Sequence, residues 1–260
     1  MKKLIACTAG LFLTASLFAG GLKETAVEMG GKTELSIAAA ISLSGALDEI
    51  IKIYSTVNQG VAITANYGSS GSLQQQIEQG APIDIFFSAA RRQMDSLRQK
   101  GLILEDTHRN LLENKLVLVV PRGNKNISSF TDAGTSKVTQ IALGEPESVP
   151  AGQYAAQVFR TLGILDAVVK KTVYAKNVRQ VLTYVSTGEV DAGVVYATDA
   201  AGDNSVTVVA EAPAGSNEPI VYPAALIKAT VYPEAAGTFL DWLSGDEASN
   251  IIISFGFSVH

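Results

Sequence analysis

The sequence holds 260 residues, with a formal net charge of −5 and a single cysteine. Hydrophobic residues make up 47% and charged residues 17%, below the ~25% charged usual for soluble domains. That is enough apolar side chain for one large or two ordinary cores, so a mainly disordered chain is excluded. One cysteine excludes an intrachain disulfide framework and a cysteine-based zinc cluster. The acidic balance argues against a nucleic-acid partner, but it leaves room for an anion held by uncharged groups.

Met1-Lys2-Lys3 is a short basic start, and Leu4 to Ala19 is almost entirely apolar or small. Residues 1–21 therefore read as a bacterial secretory signal, too short for a ~20-residue membrane span. Leu17-Phe18-Ala19-Gly20-Gly21 is similar to a lipoprotein signal whose cysteine position is held by glycine. Leu4-Ile5-Ala6-Cys7 has the lipobox spelling but precedes the apolar run, so Cys7 is assigned to the discarded segment. Residues 22–32 read as a flexible tether. Loss of Lys2 and Lys3 takes the formal charge from −5 to −7. The expected location is outside the cytoplasm, periplasmic or at the cell surface, with lipid anchoring left open.

The remaining chain alternates strands and helices. Glu34 to Ala40 is a short apolar strand, and Ser42 to Tyr54 repeats Leu43, Leu47, Ile50, Ile51 and Tyr54 at helical spacing. Val61 to Ala65 is a strand; Ser72 to Gln79 is a helix ended by Gly80; Ile83 to Phe87 is a strand; Arg91 to Lys100 is a helix ended by Gly101. Within Asn114 to Pro121, the continuous run Leu116-Val117-Leu118-Val119-Val120 suits a strand buried on both faces. The pattern then restarts: strand Thr139 to Leu143, helix Gly152 to Leu162, helix Val178 to Thr187 stopped by Gly188, strand Ala192 to Tyr196 and strand Val206 to Ala210. Ile220 to Ile227 is a strand interrupted by Pro223, and Glu234 to Ser244 and Asp246 to Ser254 are helices. Such alternation implies an α/β protein with mostly parallel sheets flanked by helices. The restart and the late strand place lobe 1 at 33–117, lobe 2 at 118–220 and a return to lobe 1 at 221–260.

Catalytic spellings are missing. His108 and His260 sit in no recognisable motif. Gly68-Ser69-Ser70-Gly71-Ser72 fails the G-x-S-x-G pattern at its last position. There is no P-loop and no H-E-x-x-H, and Glu145 and Glu147 around Pro146 read as loop carboxylates. The chain is expected not to be an enzyme and to need no cofactor.

Uncharged donors at helix starts remain. Ala40-Ile41-Ser42-Leu43-Ser44-Gly45-Ala46 and Tyr67-Gly68-Ser69-Ser70-Gly71-Ser72-Leu73 each set serines between a strand and a helix. Free N–H groups at a helix start carry partial positive charge, and serine hydroxyls beside them add donors. Together they can hold an anion without lysine or arginine; plain N-capping is the competing reading. Both segments lie at the carboxyl ends of strands, where open α/β sheets bind ligands.

These runs, with Gln76-Ile77-Glu78-Gln79-Gly80-Ala81-Pro82-Ile83-Asp84-Ile85-Phe86, resemble the periplasmic molybdate-binding protein of an ABC importer. Gly144-Glu145-Pro146-Glu147-Ser148-Val149-Pro150-Ala151-Gly152-Gln153-Tyr154-Ala155 resembles that family's GDPxxxPAGxYA loop. Asn177-Val178-Arg179 and Gly193-Val194-Val195-Tyr196-Ala197-Thr198-Asp199-Ala200 extend the likeness across about Thr33 to His260. The resemblance implies a two-lobed periplasmic-binding-protein-like (type II) fold with the ligand cleft between the lobes. It implies that molybdate or tungstate is held through its oxygens by Ser42 and Ser70 of the first lobe and by the backbone N–H groups of Ala151 and Val178 with the Tyr196 phenol of the second. The metal would touch the protein only through those oxygens. The implied partner is a membrane permease of an ABC transporter, with the binding protein a monomer. Three positions depart from the family pattern: Ile41 where alanine is usual, Glu145 where aspartate is commoner, and Gly71 where a third serine is common. Ser69 competes with Ser70 for the donor register. Capture of another oxyanion such as sulfate, an exported serine hydrolase and an adhesive surface protein are the competing functions.

Overall fold

The computed structural model describes residues 32–260. The expected signal 1–21, Cys7 and all of the expected tether except Lys32 lie outside the described residues. The chain opens with strand β1 (Thr33–Ala40), a 3-10 turn at Ile41–Leu43 and helix α1 (Ser44–Val57). Strand β2 (Val61–Gly68), helix α2 (Ser70–Glu78), strand β3 (Ile85–Phe87) and helix α3 (Arg91–Gln99) follow. Strands β4 (Arg109–Asn114) and β5 (Leu116–Pro121) are consecutive. The second half runs β6 (Ile141–Gly144), α4 (Pro150–Thr161), α5 (Leu165–Val169), β7 (Thr172–Ala175), α6 (Val178–Ser186), β8 (Ala192–Tyr196), α7 (Ala197–Ala201) and β9 (Val206–Glu211). Strand β10 (Ile220–Leu226), helices α8 (Pro233–Leu243) and α9 (Asp246–Ser254) and the short β11 (Ser258–Val259) complete it.

Two sheets form. One has the order β11-β4-β10-β3-β1-β2 and the other β7-β6-β8-β5-β9. The chain passes from the first sheet to the second at Lys115, between β4 and β5, and returns through 212–219 to enter as β10. The first crossing thus comes slightly earlier than the expected 117/118 boundary, because the apolar run from Leu116 belongs wholly to β5; the expected 220/221 boundary falls at the first residue of β10.

The expectation of mostly parallel sheets is corrected to mixed ones. β1–β2, β1–β3, β6–β7 and β6–β8 are parallel, while β5 and β10 run antiparallel to both of their neighbours. The physical reason is connectivity. Parallel neighbours need a crossover segment, and β1–β2–β3 and β6–β7–β8 have helices for that. The two strands adjoining the lobe crossings arrive without one, so they pair in the opposite sense.

Periodicity accounts for what packs where. Ala46, Leu47, Ile50 and Tyr54 form the buried stripe of α1. Tyr54 meets Phe239 edge-on at 4.9 Å and Trp242 at 5.4 Å, which fastens α8 to the first lobe. In β5 every residue from Leu116 to Val120 is buried, as the unbroken apolar run requires. Gly80 and Gly188, expected as helix stops, adopt φ of 85° and 74° and end α2 and α6 in the left-handed conformation. Strands β4 and β7 gave no clear pattern because each is short and has only two or three apolar residues. No helix among the described residues is long and apolar enough to cross a membrane.

Candidate functional site

Ser42, Ser70, Ala151, Val178 and Tyr196 all line one small cavity between the sheets. Each is carried there by a chain segment leaving the carboxyl end of a strand. Ser42 follows β1, Ser70 follows β2, Ala151 lies at the start of α4, Val178 opens α6 and Tyr196 ends β8. None of the residues lining the cavity is charged.

The first lobe presents hydroxyls that are held in place. The Ala89 N–H donates to Ser70 Oγ at 2.9 Å, so the serine oxygen is used as an acceptor and its hydrogen remains available. Asn114 Nδ2 donates to the Tyr222 hydroxyl at 3.2 Å, and that hydroxyl lies 3.1 Å from Ser42 Oγ. Either hydroxyl can be the donor in that contact, which holds Ser42 Oγ in place beside the cavity. Ser69 is engaged differently. It caps α2, accepting from the Ser72 N–H at 3.3 Å and donating to Ser72 Oγ at 2.9 Å, so its hydroxyl is engaged within α2.

The second lobe presents backbone. Pro150 occupies the first position of α4 and has no N–H, so Ala151 carries the first free one. Gly152 lets this helix start sit against the end of β6: a Cβ there would lie 2.0 Å from the Gly144 carbonyl oxygen. Asn177 caps α6 by accepting from the Gln180 N–H at 2.9 Å, which leaves the Val178 N–H pointing outward. Among the described residues, the N–H groups of Ser42, Ser70, Ala151 and Val178 donate to no protein acceptor. The Tyr196 hydroxyl donates to the Ala89 carbonyl at 3.4 Å, far longer than the usual 2.7–2.8 Å, so its hydrogen is loosely held. Burial, reinforced by the neighbouring Tyr222 and Tyr154 phenols and the Asp199 carboxyl, holds the Tyr196 phenol well above its ordinary range, and it stays a neutral donor.

Glu145 and Glu147 stay away from the cavity. The Glu147 side chain is 86% exposed and lies 3.7 Å from Arg92. Neither histidine lines the cavity; His260 pairs with Glu113 at 2.7 Å on the far edge of the first sheet. Sequence reasoning missed Ala89, Tyr222 and Asn114. Ala89 acts only through its main chain and Tyr222 arrives from a strand 180 residues away, so neither left a local signal.

A cavity closed by two α/β lobes, with donors from both and no charge, defines a protein that encloses a small, acceptor-rich solute. The chain belongs to the bacterial extracellular solute-binding protein family, whose profile matches residues 35–258. It is 44% identical to YvgL of Bacillus subtilis, provisionally named as an ABC transporter substrate-binding lipoprotein, over 95% of each chain. It is 33% identical to the molybdate-binding protein ModA of Haemophilus influenzae, over 94% of this chain and 96% of that one. The solved structure of the periplasmic molybdate-binding protein of Azotobacter vinelandii superposes with a TM-score of 0.78 at 27% identity, covering 87% of this chain and 99% of the other. The two-lobed α/β architecture is therefore shared across the family.

Proposed function

We propose that the protein captures molybdate, or tungstate, between its lobes outside the cytoplasm and delivers it to the membrane permease of an ABC importer. The observation that carries this is the convergence of Ser42, Ser70, Ala151, Val178 and Tyr196, all donors, on one uncharged cavity. A tetrahedral oxyanion has acceptors on every side and no hydrogen to give. A cavity of N–H and O–H groups matches it, and the partial positive charge at the starts of α2, α4 and α6 supplies the electrostatics that a lysine would otherwise supply. The names of the relatives agree with this ligand. Because both donor sets are used only when the lobes are together, binding favours the closed arrangement. The protein acts as a monomer and the oxyanion is its cargo, so no resident cofactor or metal enters the scheme.

A hydrolytic role is not favoured. Ser42 Oγ faces a phenol and Ser70 Oγ a backbone N–H, and neither serine has the adjacent base that activates a nucleophile.

The test is a calorimetric titration of the purified mature protein with molybdate, tungstate, sulfate and phosphate. Molybdate and tungstate should bind alike, since their sizes are nearly equal. Sulfate is smaller and cannot meet every donor at once. Two or three unmade bonds to a charged partner, at about 1–3 kcal/mol each, correspond to roughly a hundredfold or more weaker binding. Sulfate binding as tightly as molybdate would overturn the assignment.

A further inference from the structure

Asn114 stands where the two lobes join. It is the last residue of β4, pairs with Ile220 at the start of β10, and is followed by Lys115, where the chain crosses. Its side chain touches both lobes. Nδ2 donates to Thr198 Oγ1 of α7 at 2.9 Å and to the Tyr222 hydroxyl of β10 at 3.2 Å. The amide cannot be turned round without loss, because Oδ1 accepts from the Lys115 N–H at 2.8 Å.

The bond to Tyr222 bears on the cavity. The Tyr222 hydroxyl lies 3.1 Å from Ser42 Oγ, and that distance alone lets either group donate. Tyr222 is fully buried, and burial holds its phenol well above the ordinary range, so it keeps a hydrogen that needs an acceptor. Among the described residues its hydroxyl has two hydrogen-bond partners, Ser42 Oγ and Asn114 Nδ2, and an amide nitrogen only donates. The Tyr196 ring packs beside it with centroids 5.7 Å apart, but the Tyr196 hydroxyl bonds to the Ala89 carbonyl. That leaves Ser42 Oγ to accept the phenol hydrogen.

We propose that Asn114 is a positioning residue that fixes the polarity of a donor chain: Asn114 donates to Tyr222, Tyr222 to Ser42, and Ser42 to the bound oxyanion. Neither Asn114 nor Tyr222 lines the cavity, so both act through Ser42. The ligand rests on the oxyanion reading above, but the polarity of the hydroxyls can be tested without it.

Asn114→Asp keeps the side-chain shape and the acceptor for the Lys115 N–H, but it puts an acceptor where Nδ2 was. Tyr222 then donates to the carboxylate, its oxygen draws the Ser42 hydrogen, and the cavity loses a donor. In calorimetry on the mature protein, molybdate binding should weaken about tenfold, the size expected for one lost bond to a charged partner. Made in the Ser42→Ala background, the same change should cost less than about threefold, because the donor it acts through is already gone. Equal losses in the two backgrounds would mean charge repulsion or general disturbance and would overturn the proposal. Should Asn114→Asp not fold, Asn114→Ala asks the same question: a few-fold loss that vanishes in Ser42→Ala supports the chain, and one that persists there overturns it. If the natural protein binds none of the four anions, the functional reading falls by itself. Neutron diffraction from the ligand-free protein then decides the polarity. A Tyr222 deuteron aimed at Ser42 Oγ supports the chain; one aimed at Tyr196, or a Ser42 deuteron aimed at Tyr222, overturns it.

Discussion

The two lobes supply the same kind of donor by different means. In the first lobe, Ser42 and Ser70 are side chains whose oxygens are tied to Tyr222 and to the Ala89 N–H, which holds both hydroxyls in place. In the second lobe, Ala151 and Val178 contribute only main chain, exposed to the cavity by where α4 and α6 begin. Only Tyr196 brings a polar side chain there. The first lobe thus binds through residue identity and the second through helix placement. Side-chain truncation should therefore damage the first lobe's donors and leave the second's nearly intact.

The largest effect should come from attacking the second lobe's backbone directly. Val178 is the first residue of α6, where proline is tolerated, and Asn177 before it is already extended, as a residue preceding proline must be. Val178→Pro removes one N–H. A lost bond to a charged group is worth about 1.5–3 kcal/mol, so molybdate affinity should fall on the order of tenfold to a hundredfold. Val178→Ala keeps the N–H and should bind within a few-fold of the natural protein, although both variants lose buried apolar surface. Equal losses in titrations of the two would break the contrast between the lobes.

Next in size is Ser70→Ala. It deletes a donor and strands the Ala89 N–H in a buried position. Affinity should fall about tenfold or more, and unfolding stability by about 1–2 kcal/mol, measured by calorimetry and by denaturant titration. Tyr222→Phe is smaller still. It removes a hydroxyl that orients Ser42 without lining the cavity, so the loss should be a few-fold, and Ser42→Ala should exceed it. If Tyr222→Phe weakens binding as much as Ser42→Ala, then orientation matters as much as the donor itself.

The same contrast explains what the sequence made legible. Ser42 and Ser70 carried a signal of their own, because two serine runs, each between a strand and a helix in one lobe, set an anion site against plain N-capping. Ala151 and Val178 had none, since any residue other than proline offers the same N–H; only the family resemblance placed them. Strands β1, β2, β3, β6 and β8 of the parallel units showed in the alternation with helices, whereas the short β7 did not. The antiparallel β5 and β10 showed as strands but not in their direction, because direction depends on which sheet the chain enters after each crossing. Gly71 was visible as a departure from the family pattern, while its contact with Ser148, 77 positions further on, was not.

The smallest predicted effect concerns charge beside the second lobe's one polar side chain. Asp199 follows Tyr196 by three residues and lines a larger opening that shares Ser42 with the cavity. Its Oδ2 is shielded from solvent without a hydrogen-bond partner. Burial pushes its carboxyl up to about 7 from an ordinary 3.8, against the opposing pull of Arg179 and a backbone hydrogen bond at Tyr196. The charged groups facing this opening are Arg179 and Asp203, and Arg179 also reaches Ser44 across the cleft. Since the folded-state value is raised above the unfolded one, the stability this carboxyl contributes is complete below about pH 4 and is lost as pH rises towards 7. Asp132 has the opposite sign: Lys137 and the Ser128 N–H hold it well below the usual carboxylate range, so its contribution is present at neutral pH and lost in acid. The two can be separated by following thermal midpoints from pH 4 to 8, where Asp199→Asn should flatten the decline and Asp132→Asn should not. Ionised Asp199 also places a negative charge beside the Tyr196 donor, so molybdate should bind roughly a few-fold more weakly at pH 8 than at pH 6. Asp199→Asn should remove that difference, whereas an unchanged pH dependence in the variant would place the titrating group elsewhere.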